Sequence, residues 1–391
     1  MRLYYDHWHD LWYQRESEER ISFGKNKVPL PTFNDGKDLF SFDLNLVNSS
    51  VGPLIGIMAS LSKNGAVLGN IPLFKTLQQE AMKNGGVSVV FAPEEIKNER
   101  LSGFIFIPKT ESWYPVITPL PDVVYNRVPL RKTEESTAFI QATSLFEEWK
   151  IPFFNPSFID KSTLYELGSN HPFLKPLMPE TIVVNEEDLL KDFFEKHQGV
   201  YLKPTLSSRG KGIFLIRSKD GEVEFRSHNQ QTIYPSFDHF WKEKNAQLLK
   251  RRYIAQMEII PAKLDGHRFD FRIHAHDSLD GYKITGIGVR QSQKQNITTH
   301  VPNGGVLLPY ERVQTKEHDQ FFQELVKNVG HMLTKELGYF GEFSIDAGLT
   351  ESGKYILYEV NSKPMTFDEK KIEKERIRQM VALLFRKANY K

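Results

Sequence analysis

Two alternating segments near the end of the chain carry the residue types best suited to metal chemistry. Residues 341–349 and 355–364 flank a polar turn, and this pattern predicts a β-hairpin. If the turn has two central residues, Asp346 lies opposite Leu357 and diagonal to Glu359. The two carboxylates then converge, with their backbones roughly 7–8 Å apart.

Strand alternation assigns the two faces of this hairpin, because side chains two residues apart point the same way. The polar face is expected to carry Ser344, Asp346, Leu357, Glu359 and Asn361. The buried face is expected to carry Ile345, Ala347, Ile356, Tyr358 and Val360. The oxygens of Asp346, Glu359 and Asn361 suit Mg²⁺, which shares its other positions with water and substrate phosphates, and they indicate a nucleotide enzyme. Taken alone, the hairpin fits a merely solvated polar face better than a metal site, so the rest of the chain must decide.

Composition excludes several classes of protein. The 391 residues include 51 Lys and Arg against 49 Asp and Glu, and this balance gives no electrostatic case for nucleic acid or an anionic membrane. The absence of cysteine excludes a disulfide scaffold, a thiolate metal site and a cysteine nucleophile. The N-terminus carries charges where a signal peptide needs an apolar stretch, and the apolar run at 54–61 is far short of the ~20 residues of a membrane span. We expect a soluble, cytoplasmic protein.

The pattern of elements divides the chain into an α/β front half and an α+β back half. Residues 1–48 are aromatic with short strand-like pieces, and His7, Trp8, His9 and Trp12 are interpreted as a packed aromatic cluster rather than a metal site. From residue 53, strand, helix and strand alternate with glycine stops, which predicts a small parallel α/β unit. One helix is predicted over 132–150.

Lys203 ends a predicted strand at 199–203, and a Ser/Gly-rich stretch follows it. Such a loop can fold backbone N–H groups over anionic oxygens while the lysine supplies an ammonium. The stretch is not a Walker loop, because the Gly-Lys-Ser/Thr that begins a helix is missing. A plain hairpin turn remains an equal interpretation on turn chemistry alone.

A second polar strand is predicted at 269–276, with one face made of Arg268, Asp270, Arg272, His274 and His276. Arg272 suits a carboxylate or phosphate, with Asp270 orienting it. The alternative is a surface ion-pair ladder, but the shared sheet favours a functional lining. His274 and His276 are expected to be solvated rim residues rather than metal ligands, since no third ligand completes them.

Three further pieces could bind a nucleotide. Arg290 ends the next predicted strand, and the loop at 303–305 is rich in backbone donors. Residues 256–259 end a strand with an acid among apolar neighbours, as expected where an adenine pairs with backbone groups. Glycine pairs are equally ordinary in turns.

The order of these pieces resembles the ATP-grasp superfamily, and more closely the YheC/YheD group of endospore coat-associated proteins. The resemblance covers about residues 50–385. The motifs that carry it are those at 51–57, 121–127, 160–161, 177–181, 201–204 and 359–364, the last three of which are the most specific.

The resemblance implies the ATP-grasp fold: a small α/β pre-ATP-grasp domain followed by two α+β subdomains that clasp the nucleotide. The boundaries are then 1–48 for a small β-rich segment, 49–155 for the pre-ATP-grasp domain and 156–391 for the ATP-grasp domain, with its lid at about 180–255. The implied cofactors are ATP and Mg²⁺, the metal on Asp346, Glu359 and Asn361.

The resemblance also implies roles for individual residues. Lys161 and Lys203 would contact ATP phosphates, while Arg272 and Arg290 would act on the transferred phosphoryl group or the acceptor carboxylate as the catalytic pair. A lid loop would include Ser207, Ser208, Gly210, Lys211 and Gly212, and Ser-Ser-Arg stands there where many relatives have Gly-Ser. Adenine and ribose would lie near Gln256, Met257, Glu258 and Ile259.

The implied activity is ATP-dependent carboxylate–amine ligation on small-molecule or peptide substrates, in or near the spore. Two other classes stay open at this point: a non-catalytic ATP-binding scaffold of the coat and a pure interaction module. The paired arginines favour the enzyme over the first, and the metal-ready hairpin favours it over the second.

Overall fold

The computed structural model of the chain describes residues 1–15, 20–33, 40–206, 212–227, 230–293 and 304–390. The first 70 residues form short strands: β1 (Arg2–Asp6), β2 (Leu11–Tyr13), β3 (Ser22–Phe23), β4 (Val28–Pro29), β5 (Phe40–Asp43), β6 (Asn45–Val47), β7 (Ser50–Gly52), β8 (Leu54–Met58), β9 (Ser60–Leu61) and β10 (Val67–Leu68). Among the described residues these strands form three small sheets, ordered β2-β1-β5, β4-β3-β7-β6 and β10-β9, while β8 belongs to the next sheet.

The predicted N-terminal aromatic cluster is only partly right. Trp12 is buried, with its ring centroid 4.9 Å from Tyr5 and 5.1 Å from Phe23. Trp8 is 77% exposed, so including it in a packed cluster was wrong. It lies in the turn after β1, whereas strand β2 turns Trp12 inward.

The next elements are α1 (Ile71–Lys83), β11 (Val87–Phe91), β12 (Ile96–Lys97), β13 (Arg100–Ile107), β14 (Ser112–Pro119), β15 (Val123–Asn126), α2 (Arg131–Glu134), α3 (Thr137–Glu148) and β16 (Phe153–Phe154). Their sheet has the order β12-β13-β11-β8-β15-β16, with β14 paired to β13. Strand β8 is parallel to β11 and β15, which confirms the predicted parallel unit.

Two features of this α/β unit differ from the local pattern. The single helix predicted over 132–150 is interrupted, because Ser136 caps α3 by accepting the N–H of Phe139 at 3.2 Å. The core of the unit also includes Leu3, Trp12 and Phe23, so the N-terminal segment packs into the same core.

A second antiparallel sheet follows, which we call the lid sheet. Its elements are α4 (Lys161–Asn170), β17 (Thr181–Val183), α5 (Glu187–His197), β18 (Gly199–Pro204), β19 (Phe214–Lys219), β20 (Glu222–Arg226), β21 (Gln231–Tyr234), α6 (Phe237–Lys250) and β22 (Tyr253–Met257). The strand order is β17-β22-β18-β19-β20-β21. Helices α5 and α6 cover one face with a core of their own, so the other face is free to form a wall.

The C-terminal sheet is the second wall. Its elements are β23 (Lys263–Leu264), β24 (His267–Ser278), β25 (Gly281–Gln291), β26 (Val306–Leu308), α7 (Lys316–Leu337), β27 (Glu342–Leu349), β28 (Tyr355–Asn361) and α8 (Lys370–Lys387). The order is β26-β25-β24-β27-β28. Phe271, Ile273 and Ile345 pack on α7 from one face, which leaves the polar face toward the lid sheet. Helix α8 packs on α1 and the α/β sheet, and it also contacts β24 and β25 of the C-terminal sheet.

The register of the β27–β28 hairpin differs from the prediction. Asp346 is directly opposite Glu359, and Ala347 is opposite Leu357, because a β-bulge falls at Tyr358. Leu357 therefore packs in the apolar core, and Tyr358 turns to the polar side. The prediction for these two residues was wrong, whereas Ile345, Ala347 and Val360 are in the core as expected.

Of the helices that the structure describes, none combines the length and the apolar character that crossing a membrane requires.

Candidate active site

A cavity lies where the lid sheet faces the polar side of the C-terminal sheet. Its charged lining consists of Lys161, Lys203, Arg268, Asp270, Arg290, Asp346 and Glu359. Its remaining lining consists of Tyr201, Ile213, Gln256, Met257, Ile259 and Tyr358. A flat ring with a polyanionic tail matches such a mixed lining, because one part offers apolar contact and the other offers charge.

The two hairpin carboxylates meet in this cavity. Asp346 and Glu359 are cross-strand partners, closer than the diagonal placement expected, because the bulge moves Glu359 by one position. Each carboxylate has a cation beside it: Arg290 Nη2 is 3.1 Å from Asp346 Oδ2, and Lys161 Nζ is 3.2 Å from Glu359 Oε1. Each of these two acids is thus paired with a cation of the protein.

Arg290 links two acids. Its Nε donates to Asp270 Oδ1 at 2.7 Å, while its other nitrogen reaches Asp346. Burial disfavours the guanidinium charge, but the two carboxylates overcome this and raise the pKa of Arg290. The arginine is therefore a fixed positive charge at the floor of the cavity.

Lys203 stands on the opposite wall. Strand β18 directs it to the same side as Tyr201, and its Nζ donates to Gln256 Oε1 at 2.5 Å. Burial, and next the charge of Lys161, lower the pKa of Lys203 to about 8. An anion bound in the cavity would stabilise the ammonium form of Lys203 and so raise its pKa again.

The segment predicted to lie along adenine splits in two. Gln256, Met257 and Ile259 line the cavity, but Glu258 does not. Its carboxylate turns to Arg217 on β19, which donates to it at 2.7 and 2.5 Å. Gly199 allows this, because a Cβ there would lie 2.5 Å from Glu258 Oε2. The side chain of Glu258 therefore belongs to a pair on the lid sheet.

Other predicted residues lie beside the cavity rather than in its lining. Arg272 pairs across β24–β27 with Asp346, and its guanidinium lies 4.6 Å from the Phe367 ring centroid. Asn361 follows Glu359 on the same face of β28. Gly212 accepts a hydrogen bond from Tyr253 through its carbonyl, 2.9 Å away. Ser207, Ser208, Gly210 and Lys211, together with residue 303, lie outside the described residues.

Arg268 and Asp270 line the cavity, as the predicted polar face of β24 indicated, whereas three other lining residues were absent from the predicted site: Tyr201, Ile213 and Tyr358. Tyr201 alternates with Lys203, so strand alternation could have supplied it. Tyr358 depends on the bulge, for which the local sequence gives no signal.

A separate charged cluster lies deeper on the same sheet, and we call it the Glu342 junction. The Glu342 carboxylate, fully buried, accepts from Arg376 Nε and Nη2 at 3.0 and 2.9 Å. Arg127 Nη1 at 3.3 Å and the Tyr125 hydroxyl also donate to it. Burial alone would raise the pKa of the Glu342 carboxyl group. Arg376 and His274 outweigh burial and hold this pKa well below its usual range.

The histidine prediction was wrong. His274 and His276 are buried. One ring nitrogen of each histidine and one carboxylate oxygen of Glu342 all lie within 4.8 Å of one another. Helix α8 packs on β24 and Phe367 lies against His274, and neither is near the histidines in sequence. We assign no metal to this trio, because two guanidinium groups already occupy the carboxylate.

The antiparallel lid sheet faces a second sheet that carries paired carboxylates, and a mixed apolar and charged cavity lies between them. This arrangement defines an ATP-grasp fold. The chain belongs to the YheC/D-like ATP-grasp family, whose model matches residues 150–390. It is 28% identical over 335 residues to the endospore coat-associated protein YheD of Bacillus subtilis, covering 80% of this chain and 73% of that protein. YheC of the same organism is 22% identical over 333 residues, with 80% and 90% coverage.

Solved structures of ligases share the fold. D-alanyl-alanine synthetase A from Vibrio cholerae superimposes with a TM-score of 0.54 and 13% identity, over 86% of this chain and 99% of that one. The D-Ala:D-Ser ligase VanG from Enterococcus faecalis gives 0.53 and 13%, with the same coverage. These similarities confirm the predicted fold class.

Proposed function

We propose that this protein is an ATP- and Mg²⁺-dependent ligase that joins a carboxylate to an amine through an acyl phosphate. The observation that carries the proposal is the cross-strand pair of Asp346 and Glu359 in a cavity that also holds Lys161 and Lys203. Acids and cations converge there beside an apolar lining, as a nucleotide triphosphate with its metal requires.

Asp346, Glu359 and Asn361 fit Mg²⁺ by the chemistry of their donor set, which is two carboxylates and one amide oxygen on one face of two paired strands. We assign these three residues to hold the ion. When bound, Mg²⁺ would offset the negative charge of the phosphates.

The lid sheet would hold the rest of the nucleotide. Lys203 and Lys161 would bind phosphate oxygens, since both ammonium groups line the charged part of the cavity. Gln256, Met257 and Ile259 would contact adenine and ribose. The loop with Ser207, Ser208, Gly210, Lys211 and Gly212 remains our proposal for the cover over the phosphates.

The reaction is carboxylate activation followed by aminolysis. A substrate carboxylate oxygen attacks the γ-phosphorus, the bond to the β-phosphate oxygen breaks, and ADP leaves. The amine nitrogen then attacks the acyl carbon, and phosphate leaves with the bonding electron pair. Arg290 is held rigidly by Asp270 and Asp346, so it would present a fixed charge to the transferred group, with Arg272 next to it. Such catalysis consists of positioning and charge neutralisation.

One alternative has an observation in its favour. The relatives YheD and YheC are both described as endospore coat-associated proteins, which would suit a non-catalytic ATP-binding scaffold. On the same ground we propose that this protein works in the cytoplasm of a sporulating cell or in the spore coat.

Trapping with hydroxylamine tests the ligase against the scaffold. Hydroxylamine converts an acyl phosphate into a hydroxamate, so the amine substrate need not be known. The protein is incubated with ATP, Mg²⁺ and a panel of amino acids, dicarboxylic acids and short peptides. We expect at least one acid to give hydroxamate and ADP in equal amounts, and Glu359→Gln to give neither. Tight ATP binding without hydroxamate or ADP from any acid would contradict the ligase and favour the scaffold.

A further inference from the structure

The short helix α2 of the α/β unit contacts the two segments that carry the proposed phosphate and metal ligands. One segment, residues 155–160, ends where Lys161 begins α4. The other, residues 362–364, follows Asn361 at the end of β28. Side chains of α2 form hydrogen bonds with both segments. The α/β unit therefore supports both groups of ligands at once.

Glu134 joins the two segments through one carboxylate. Its Oε2 accepts the N–H of Phe158 at 2.9 Å, and its Oε1 accepts Lys363 Nζ at 2.5 Å. Phe158 precedes Lys161 by three positions, and Lys363 follows Asn361 by two. The side chains of Lys363 and Glu134 are only 5% and 11% exposed, so solvent ions screen the pair little. The carboxylate thus fixes the distance between the two segments.

The Lys363 ammonium group is held from three directions. It donates to Glu134, to Asn126 Oδ1 at 3.0 Å and to the Val128 carbonyl at 3.1 Å, which uses all three of its N–H groups. Asn126, which is 0% exposed at the end of β15, also donates to Glu134 Oε1 at 3.1 Å. The Phe158 ring centroid lies 4.2 Å from the ammonium nitrogen. A buried polar network that is fully paired is rigid, so this link holds one geometry.

Arg131, three positions earlier on α2, holds the first segment at a second point. Its Nη2 donates to the Ile159 carbonyl at 2.7 Å, and its guanidinium carbon lies 4.9 Å from the Phe158 ring centroid. Lys161 Nζ in turn lies 3.2 Å from Glu359 Oε1. The contacts form a closed ring that runs from α2 through Lys161 and β28 back to α2.

We propose that Glu134 is a positioning residue of the ligase. It sets the distance between Lys161 and the two proposed metal ligands of β28, and Arg131 supports the same segment. Among the described residues that line the cavity Glu134 is absent, so it acts through the ligands rather than on the nucleotide. Its effect is large because such ligands must be held within about 0.5 Å of their productive positions. This inference rests on the proposed function, and it makes the α/β unit part of the phosphate site.

Glu134→Gln tests the proposal, because glutamine keeps an acceptor for Phe158 but removes the charge with which Lys363 pairs. The affinity for a non-hydrolysable ATP analogue with Mg²⁺ is measured by calorimetry on the whole protein. We expect the variant to bind the analogue about tenfold more weakly than the wild type does. In a Lys161→Ala background the same substitution should weaken binding by at most about threefold, because the lysine through which it acts is already lost. A merely structural effect would be equally large in both backgrounds.

Two further variants complete the test. Arg131→Gln should show the same dependence on Lys161 with a smaller loss, and Arg131 is only half-buried. Glu135→Gln is the matched control, because Glu135 is the next residue after Glu134 and is exposed, so this variant should bind as the wild type does. Thermal unfolding of every variant verifies that it is folded.

The proposal is overturned if Glu134→Gln and Arg131→Gln bind the analogue as tightly as the wild type does, or if their losses are as large in the Lys161→Ala background. Metal-dependent binding of the analogue by the wild type, together with either of these results, would remove only the inference about Glu134. If the wild type does not bind the analogue, the proposed function fails, and the inference that rests on it fails as well.

Discussion

The cavity cluster and the Glu342 junction use the same chemistry on the same strands but differ in what surrounds the charges. Asp346 and Glu342 both lie on β27, and each is bound by an arginine. At the junction, the side chains of Glu342 and Arg376 are 0% and 1% exposed. In the cavity, Glu359 keeps 30% of its side chain exposed beside Lys161.

This difference separates a structural charge cluster from a functional one. The Glu342 carboxylate is fully engaged by donors from β15, β24 and α8, so it joins three parts of the chain and has no capacity left for a ligand. The cavity acids, in contrast, line an open cavity. Buried ion pairs contribute when complete and are costly when one partner is lost. The predictions below test this contrast, in order of expected effect.

The largest effect is expected from Glu342→Gln, which removes the buried carboxylate that Arg127 and Arg376 share and leaves Arg376 with its longer pair to Glu373 at 3.4 Å. We expect a loss of about 3–5 kcal/mol in the free energy of unfolding, measured by urea denaturation. The same substitution at Glu359, on the neighbouring strand, should cost about 1 kcal/mol or less. Equal stability losses in the two variants would contradict the contrast.

The second prediction concerns activity, on which substitutions in the cavity are expected to have a large effect although they change stability little. Glu359→Gln or Asn361→Ala should lower ATP turnover on the order of 100-fold, because each removes a proposed metal ligand that the fold does not need. Turnover is measured as ADP release with the acid found by hydroxylamine trapping. A wild-type rate in either variant would remove that residue from the metal site.

The third prediction concerns pH. The pKa of Lys203 is about 8 in the protein and rises when phosphate oxygens bind, so ATP binding at pH 8 should take up about half a proton. Affinity should fall as the pH rises above 8, where the lysine must be protonated on binding. Calorimetry in two buffers of different ionisation enthalpy measures the uptake. Lys203→Arg should abolish it, and an unchanged uptake in that variant would assign the proton to another group.

The smallest effect is expected at Glu258, whose partner Arg217 has a side chain 42% exposed. Glu258→Gln should change the free energy of unfolding by about 0.5 kcal/mol and leave ATP affinity unchanged, since the side chain points away from the cavity. A tenfold loss of ATP affinity would return Glu258 to the nucleotide site, as the sequence pattern first indicated.

The alternation of side chains along single strands accounts for most of the site that the sequence predicted correctly. It placed Asp270 with Arg272 on one face and Lys203 on a strand, because these relations depend on residues one or two positions apart, and the predicted hairpin turn brought Asp346 near Glu359. It failed at Tyr358 and Leu357, because the β-bulge in β28 makes the residues that precede Glu359 point to the faces opposite to those expected. It also failed for His274, whose covering residue Phe367 comes from a segment that alternation cannot place. Arg217 likewise reaches Glu258 from 41 residues away.

The most direct test of the central claim is the Mg²⁺ dependence of ATP binding in the wild type and in Asp346→Asn, measured by calorimetry on folded protein. The account predicts that Mg²⁺ strengthens ATP binding to the wild type and that most of this gain disappears in Asp346→Asn, while metal-free ATP binds both proteins similarly. An equal Mg²⁺ effect in both proteins, or no ATP binding to the wild type, would contradict the account.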